Sequence, residues 1–188
     1  MRQSLSRALT AALLALPAAA VAQQAAQPPA QGGAQQAGVQ LDGFRNADPN
    51  APIEITSDQL DLSRAAGTAL FTVNVIAIQG QMRLNAQWVL VEYMMLPDGT
   101  VGSEIEKITA KDKVLLVTPT EAAEGDNGIY WPQTRQVVMT GNVLLTQGPN
   151  TVAGDKMTAD LGTGIGKVEG RVRSVLSQQP RQPQPAGQ

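Results

Sequence analysis

The chain has 188 residues, with 14 basic side chains against 16 acidic ones and neither cysteine nor histidine. Those absences exclude disulfide frameworks, thiol nucleophiles, Cys/His zinc sites and every histidine-based acid–base or triad scheme. The near balance of charge leaves no basic stripe of the kind nucleic acid requires, and with aromatic residues at 3% the apolar content comes from Ala, Val, Leu and Ile.

At the start, Arg2 and Arg7 bracket the approach to an apolar run from Ala8 to Leu16, broken at Pro17 and followed by Ala20-Val21-Ala22. A basic start, a short apolar core and small residues before the cut describe a cleavable signal peptide over residues 1–22, so an exported protein is expected. A membrane span would need about 20 uninterrupted apolar residues. Residues 23–51 are rich in Gln, Ala and Pro, a composition that buries too little to offset its ordering entropy. This stretch is read as a disordered leader, with Leu41 and Phe44 as its only anchors, and residues 177–188 as a tail of the same kind.

Between them, residues 52–176 read as a single domain. Pro52 to Asp58 alternates apolar and polar as a half-buried strand does, and Gln59 to Leu62 continues the alternation. Arg64 to Gly67 is a turn. The stretch from Phe71 to Val89 then returns 68 positions later, without a gap, as Met139 to Met157: Asn74-Val75 recurs as Asn142-Val143 and Gln79-Gly80 as Gln147-Gly148. Self-similarity at a fixed offset is the mark of stacked supersecondary units. Because strand side chains alternate between faces, the row Phe71, Val73, Val75, Ala77, matched by Met139, Gly141, Val143, Leu145, is read as facing inward. Gln-Gly is the turn, and a second strand follows through Leu84, Ala86 and Trp88.

A finer repeat shows in the acids. From Asp58 to Val75 is 17 positions, and the same interval separates Asp126 from Val143 and Asp155 from Val172. Each acid follows a small residue and opens a new strand. Further on, Leu96 to Thr100 is a turn, and Lys111 to Leu116 imitates Gly141 to Leu145 as a degraded third copy. Pro119 to Gly128 reads as an acidic loop, and Gly162 to Gly166 as the last turn before a closing strand to Leu176. No apolar stripe keeps a 3.6-residue period for ten residues, so the domain is all-β: an antiparallel sheet folded on itself as a sandwich, jelly roll or two-sided solenoid.

Pro52-Ile53-Glu54-Ile55 with Ser57-Asp58, Phe71-Thr72-x-Asn74-Val75 with Gln79-Gly80, Thr140-Gly141-Asn142-Val143 and Gly154-Asp155-Lys156-Met157 together resemble the OstA-like (LptA) family of periplasmic lipopolysaccharide-transport proteins over residues 52–176. The resemblance implies an open antiparallel β-jellyroll with an apolar interior for lipid A acyl chains. It further implies head-to-tail stacking into a bridge from an LptC-like inner-membrane protein to an LptD-like outer-membrane protein. The first copy departs from the pattern in having Val73 where the second has Gly141.

Read from the residues alone, a β groove lined by Ile53, Ile55, Phe71, Val73, Val75, Ala77, Val114, Leu116, Tyr130, Met139, Val143 and Leu145 offers a dry surface to acyl chains, although a repeat core needs such residues in any case. An unclosed stack has edges with unpaired backbone, here around Ile53 to Ser57 and Val168 to Val175, suited to pairing with copies or partners. Lys167, Arg171 and Arg173 at the second edge read as gatekeepers against aggregation in preference to phosphate contacts. The carboxylate pairs Glu104/Glu106 and Asp58/Asp61 lack a cleft that would make them a glycosidase pair and read as turn and solvent-facing acids. No enzyme activity, metal or cofactor is expected. The competing reading is a secreted β-repeat scaffold or adhesin that binds no lipid.

Overall fold

The computed structural model describes residues 38–177. The expected signal peptide, the leader up to residue 37 and the tail beyond Ser177 lie outside the described residues. In chain order the elements are β1 (Val39–Gln40), α1 (Asp42–Arg45), β2 (Ile53–Thr56), β3 (Gln59–Ser63), β4 (Thr68–Gln79), β5 (Met82–Met95), β6 (Val101–Val117), β7 (Glu121–Trp131), β8 (Gln136–Gln147), β9 (Asn150–Asp160), β10 (Ile165–Glu169) and β11 (Arg173–Val175). Every pairing is antiparallel, in the order β1-β10-β9-β8-β7-β6-β5-β4-β2, with β3 also on β4 and β11 also on β9. The expected all-β, open antiparallel jellyroll is what forms. Neighbouring strands are linked by short turns, of which Gly80-Gln81 and Gly148-Pro149 have positive φ at the first central position only, the form a type II′ hairpin takes and one that glycine adopts without cost.

One line of corners folds this sheet in two. Between Thr72↔Trp88 and Val75↔Ala86, two residues of β4 face one of β5. The same two-against-one step recurs between Lys111↔Asn127 and Val114↔Gly125, and between Thr140↔Lys156 and Val143↔Gly154. Such bulges sharpen local twist and bend the strand that carries the extra residue. The extra pairs are Val73-Asn74, Asp112-Lys113 and Gly141-Asn142, all at positive φ, and Gly170-Arg171 repeats them where β10 breaks into β11. From 112 to 141 and from 141 to 170 is 29 residues, whereas 73 to 112 is 39. The 68-residue repeat is therefore two units, one of them stretched by the longer β5–β6 hairpin.

Across three of the four corners a carboxylate accepts a side-chain hydrogen bond from the second residue of the pair: Asn74 Nδ2 to Asp58 at 2.7 Å, Asn142 Nδ2 to Asp126 at 2.9 Å, and Arg171 Nη2 to Asp155 at 2.9 Å. This is the physical origin of the recurring Asp-to-Val interval. At the corner of β5 and β6, Lys111 Nζ sits 4.4 Å over the Trp88 ring instead.

The corners also decide which side chains reach the interior. On the strands that supply two residues the inward row keeps its parity, as in Val137, Met139, Val143, Leu145; on their partners it slips by one, from Met82 and Ala86 to Val89 and Val91. Trp88 is accordingly half-buried, and Val89, not Trp88, is in the core. Residues 119–128, expected as a loop, contain most of β7. Within that stretch its buried positions are Glu121, Ala123, Gly125 and Gly128, which give no apolar alternation of the kind a strand is recognised by.

Residues 38–51, expected to be disordered leader, are ordered as β1, α1 and the run into β2. The two expected anchors are the reason: Leu41 is 0% and Phe44 1% exposed.

Candidate functional site

Between the two halves of the folded sheet lies an apolar pocket, partly open to solvent. Its walls come from β2 and from β4 through β8: Ile53, Ala77, Met82, Leu84, Ile108, Ala110, Val114, Leu116, Val137 and Met139, with Gly128 and Ile129 completing one side. The inward alternation of each strand brings these side chains to one surface, and the small residues Ala77, Ala110 and Gly128 are what leave the space unfilled.

Two polar side chains enter the lining, Gln79 and Tyr130. The Tyr130 hydroxyl donates to Gln79 Oε1 at 3.3 Å, and Gln79 Nε2 donates to the carbonyls of Pro49 at 3.1 Å and Ala51 at 3.2 Å. Burial pushes the Tyr130 hydroxyl above the usual phenol range, with a smaller opposing pull from Arg135, so it stays protonated and acts as a donor at neutral pH. Neither group carries a charge at that pH, and the pocket is almost wholly hydrocarbon.

Of the twelve residues read as a groove, Ile53, Ala77, Val114, Leu116, Tyr130 and Met139 line this pocket. Ile55 and Phe71 are half-buried against the core cluster, and Val75, Val143 and Leu145 are buried within it without reaching the pocket lining. Val73 does not face inward. It stands at a corner at φ 65° and is 40% exposed, because the bulge rotates it out of the row that contains Val75. Met82, Leu84, Ile108, Ala110 and Val137 were missed. For the first two the alternation through Met82, Leu84 and Ala86 is the available signal, while Ile108 and Ala110 follow from extending the Val114, Leu116 row backward through the corner at Asp112-Lys113.

The acids weighed as a catalytic pair are elsewhere. Asp58 is bonded at its corner, and Glu104 on β6 accepts from Gln133 Nε2 at 3.3 Å in an exposed position. Lys167 pairs with Glu169 at 2.9 Å, and Arg171 with Asp155, so two of the three cations at the second edge are engaged within the chain. No helix among the described residues is long and apolar enough to cross a membrane.

A single antiparallel sheet, creased along one line and holding an apolar pocket between its halves, defines an open β-jellyroll. Residues 54–165 match the family described as LptA/(LptD N-terminal domain) LPS transport protein, and the chain belongs to that family. It is 32% identical over 155 residues to the uncharacterized protein R00383 of Rhizobium meliloti, spanning 79% of this chain and 82% of that one. It is also 32% identical over 115 residues to the lipopolysaccharide export system protein LptA of Escherichia coli, spanning 59% of this chain and 60% of that one. The crystal structure of LptH, described as the LptA-homologous periplasmic component of the lipopolysaccharide transport device of Pseudomonas aeruginosa, shares the fold. Its TM-score is 0.62 at 19% identity, covering 70% of this chain and 99% of that one.

Proposed function

We propose that this protein is a periplasmic carrier that takes the acyl chains of lipopolysaccharide into its apolar groove and passes the lipid from the inner toward the outer membrane. The observation that supports this most is the pocket itself, part-open and lined almost wholly by hydrocarbon, the kind of lining that apolar ligands enter. Each methylene that leaves water for such a surface contributes about 0.8 kcal/mol, so partial immersion of an acyl chain suffices for useful affinity. Handover requires similar affinity at each station, which a non-directional hydrocarbon contact provides. Nothing in the groove is poised to break a bond, and the reading is of a carrier without cofactor, not of an enzyme.

Export through a signal peptide over residues 1–22 and a functional domain over 52–176 belong to the same proposal. So does the bridge. The outer edge strand β3 exposes Leu60 and Leu62, and the far end exposes Val172, Val175 and Leu176. These two unlike edges suit head-to-tail pairing with further copies, or with LptC-like and LptD-like partners at the two membranes.

The test is a titration of the protein with lipopolysaccharide, followed by fluorescence. Leu84→Glu places a charge on a half-buried wall of the pocket, where an unpaired carboxylate is costly against hydrocarbon, and should weaken binding by roughly ten-fold or more. Glu124→Gln, on the exposed face of β7, should leave it unchanged. Equal affinities for both variants and the parent would refute the groove as the binding site.

A further inference from the structure

Residues 39–51 follow a path that the pocket alone does not explain. The segment crosses the side of the fold opposite the corners, touching hairpin ends from both halves in turn. Gln147 donates its side-chain amide to the Gln40 carbonyl, and the Leu41 amide donates to the Gly164 carbonyl at 2.8 Å. The Phe44 amide donates to Glu121 Oε2 at 3.2 Å, and Arg135 Nη2 donates to the carbonyls of Arg45 at 3.2 Å and Ala47 at 3.3 Å. Gln79 then holds Pro49 and Ala51. Gln79 and Glu121 are the buried polar or charged residues of the described chain, and both hold this segment.

Beneath it, Leu41, Phe44 and Ala47 join the same core cluster as Val143, Leu145 and Met157. The pocket lining comes from β2 and β4 to β8 and includes nothing from β9 or β10, whereas Leu41 lies against Gly166 of β10. The apolar interior is thus continuous, vacant toward β4 and filled toward β10 by side chains from the segment. Its own structure is slight: two residue pairs with β10, and a four-residue helix whose N-cap, Leu41, offers no side-chain acceptor.

We infer that residues 39–47 are a displaceable strap, an intramolecular stand-in for acyl chains that closes the empty carrier and is replaced as lipid enters. This rests on the carrier reading above. A long acyl chain removes more apolar surface from water than one leucine and one phenylalanine do, and the polar contacts given up are mostly to carbonyls that water can reach once the strap lifts. Departure of β1 also uncovers the outer edge of β10, so loading and the opening of that edge become one event.

Locking the strap tests this. Gln40 and Ile165 face each other across β1 and β10, both are exposed, and the chain has no cysteine of its own, so Gln40→Cys with Ile165→Cys gives a single reversible crosslink at a spacing disulfides accept. Uptake of labelled lipopolysaccharide should fall by roughly ten-fold or more on oxidation and return on reduction. As a second variant, Phe44→Ala should accelerate uptake several-fold while the far-ultraviolet β spectrum is kept. Equal uptake by the oxidised and reduced forms, or slower uptake by a folded Phe44→Ala, would overturn the strap while leaving the carrier in place. Absence of uptake in every form, the parent included, would overturn the carrier reading and the strap with it.

Discussion

Val73 carries a β-branched side chain at a backbone angle where its counterpart one long repeat later carries none. At φ 65° Val73 occupies the left-handed region, as Gly141 does at φ 78°, and a β-branched residue there is a steric outlier costing roughly 1–2 kcal/mol. The freedom of glycine in the unfolded chain returns part of that, about 0.5–1 kcal/mol. Val73→Gly should therefore raise stability by about 0.5–1 kcal/mol, visible as a higher urea midpoint at unchanged slope. A lower midpoint would mean that the exposed valine has a use the fold alone does not reveal.

The corner acids make a second residue-scale claim. The Arg171 hydrogen bond holds the Asp155 carboxyl below its ordinary range, and Lys167 does the same for Glu169; amides of Thr163 and Gly162 lower Asp160. A depressed carboxylate favours folding above the unfolded-state value and loses that contribution as pH falls through the folded one. Thermal stability should thus be level from neutral pH down to about 5 and decline below about 4, and Asp155→Asn should flatten part of the acid limb. Asp155 is exposed and Asp160 and Glu169 are no more than half-buried, so the effect is small and weakens with added salt. An acid limb identical in Asp155→Asn and the parent would contradict the assignment.

Among the elements, those with alternating large apolar residues were legible in the sequence and those without were not. The first hairpin and its copy announced themselves through Asn-Val and Gln-Gly, and the Asp-to-Val interval marked the corners before their geometry was known. What local pattern cannot show is a bulge that shifts parity on one strand and not on its neighbour, which is why Val73 reads as inward in the sequence and stands exposed at a corner. Nor can it show a strand such as β7, whose first half turns mainly alanine and glycine inward, or a segment whose two anchors, Leu41 and Phe44, are buried only against a distant part of the sheet. Half of the expected groove residues line the pocket, since core and lining share one alternation and differ only in depth.

The free edge is an element-scale feature as well. Leu60 is 50% and Leu62 71% exposed on β3, where isolated proteins place charge to prevent pairing. Leu60→Lys with Leu62→Lys should abolish concentration-dependent self-association in sedimentation while leaving lipopolysaccharide affinity within about two-fold. Ile53 on the neighbouring β2 lines the pocket, so a substitution there would not separate the edge from the groove. Unchanged self-association in the double variant would move the contact away from β3.

For the whole molecule, the crease is what makes a groove out of a sheet. A flat antiparallel sheet of this composition would leave one apolar face to water; folding it along the bulges encloses that face from one side and leaves it reachable from the other. The interior is not sealed by its own large side chains, since alanine and glycine recur where the walls meet. The result is an apolar groove between two walls that the corners hold together.

The most direct measurement is site-specific photo-crosslinking in living cells, with a photoreactive amino acid placed at Leu84, Tyr130 or Leu116 on the pocket wall and at Asn74 or Glu124 on the outside. Lipopolysaccharide adducts should form from the three wall positions and not from the two outer ones. Adducts from the outer positions alone, or equal labelling of both sets, would contradict transport through the crease of the sheet.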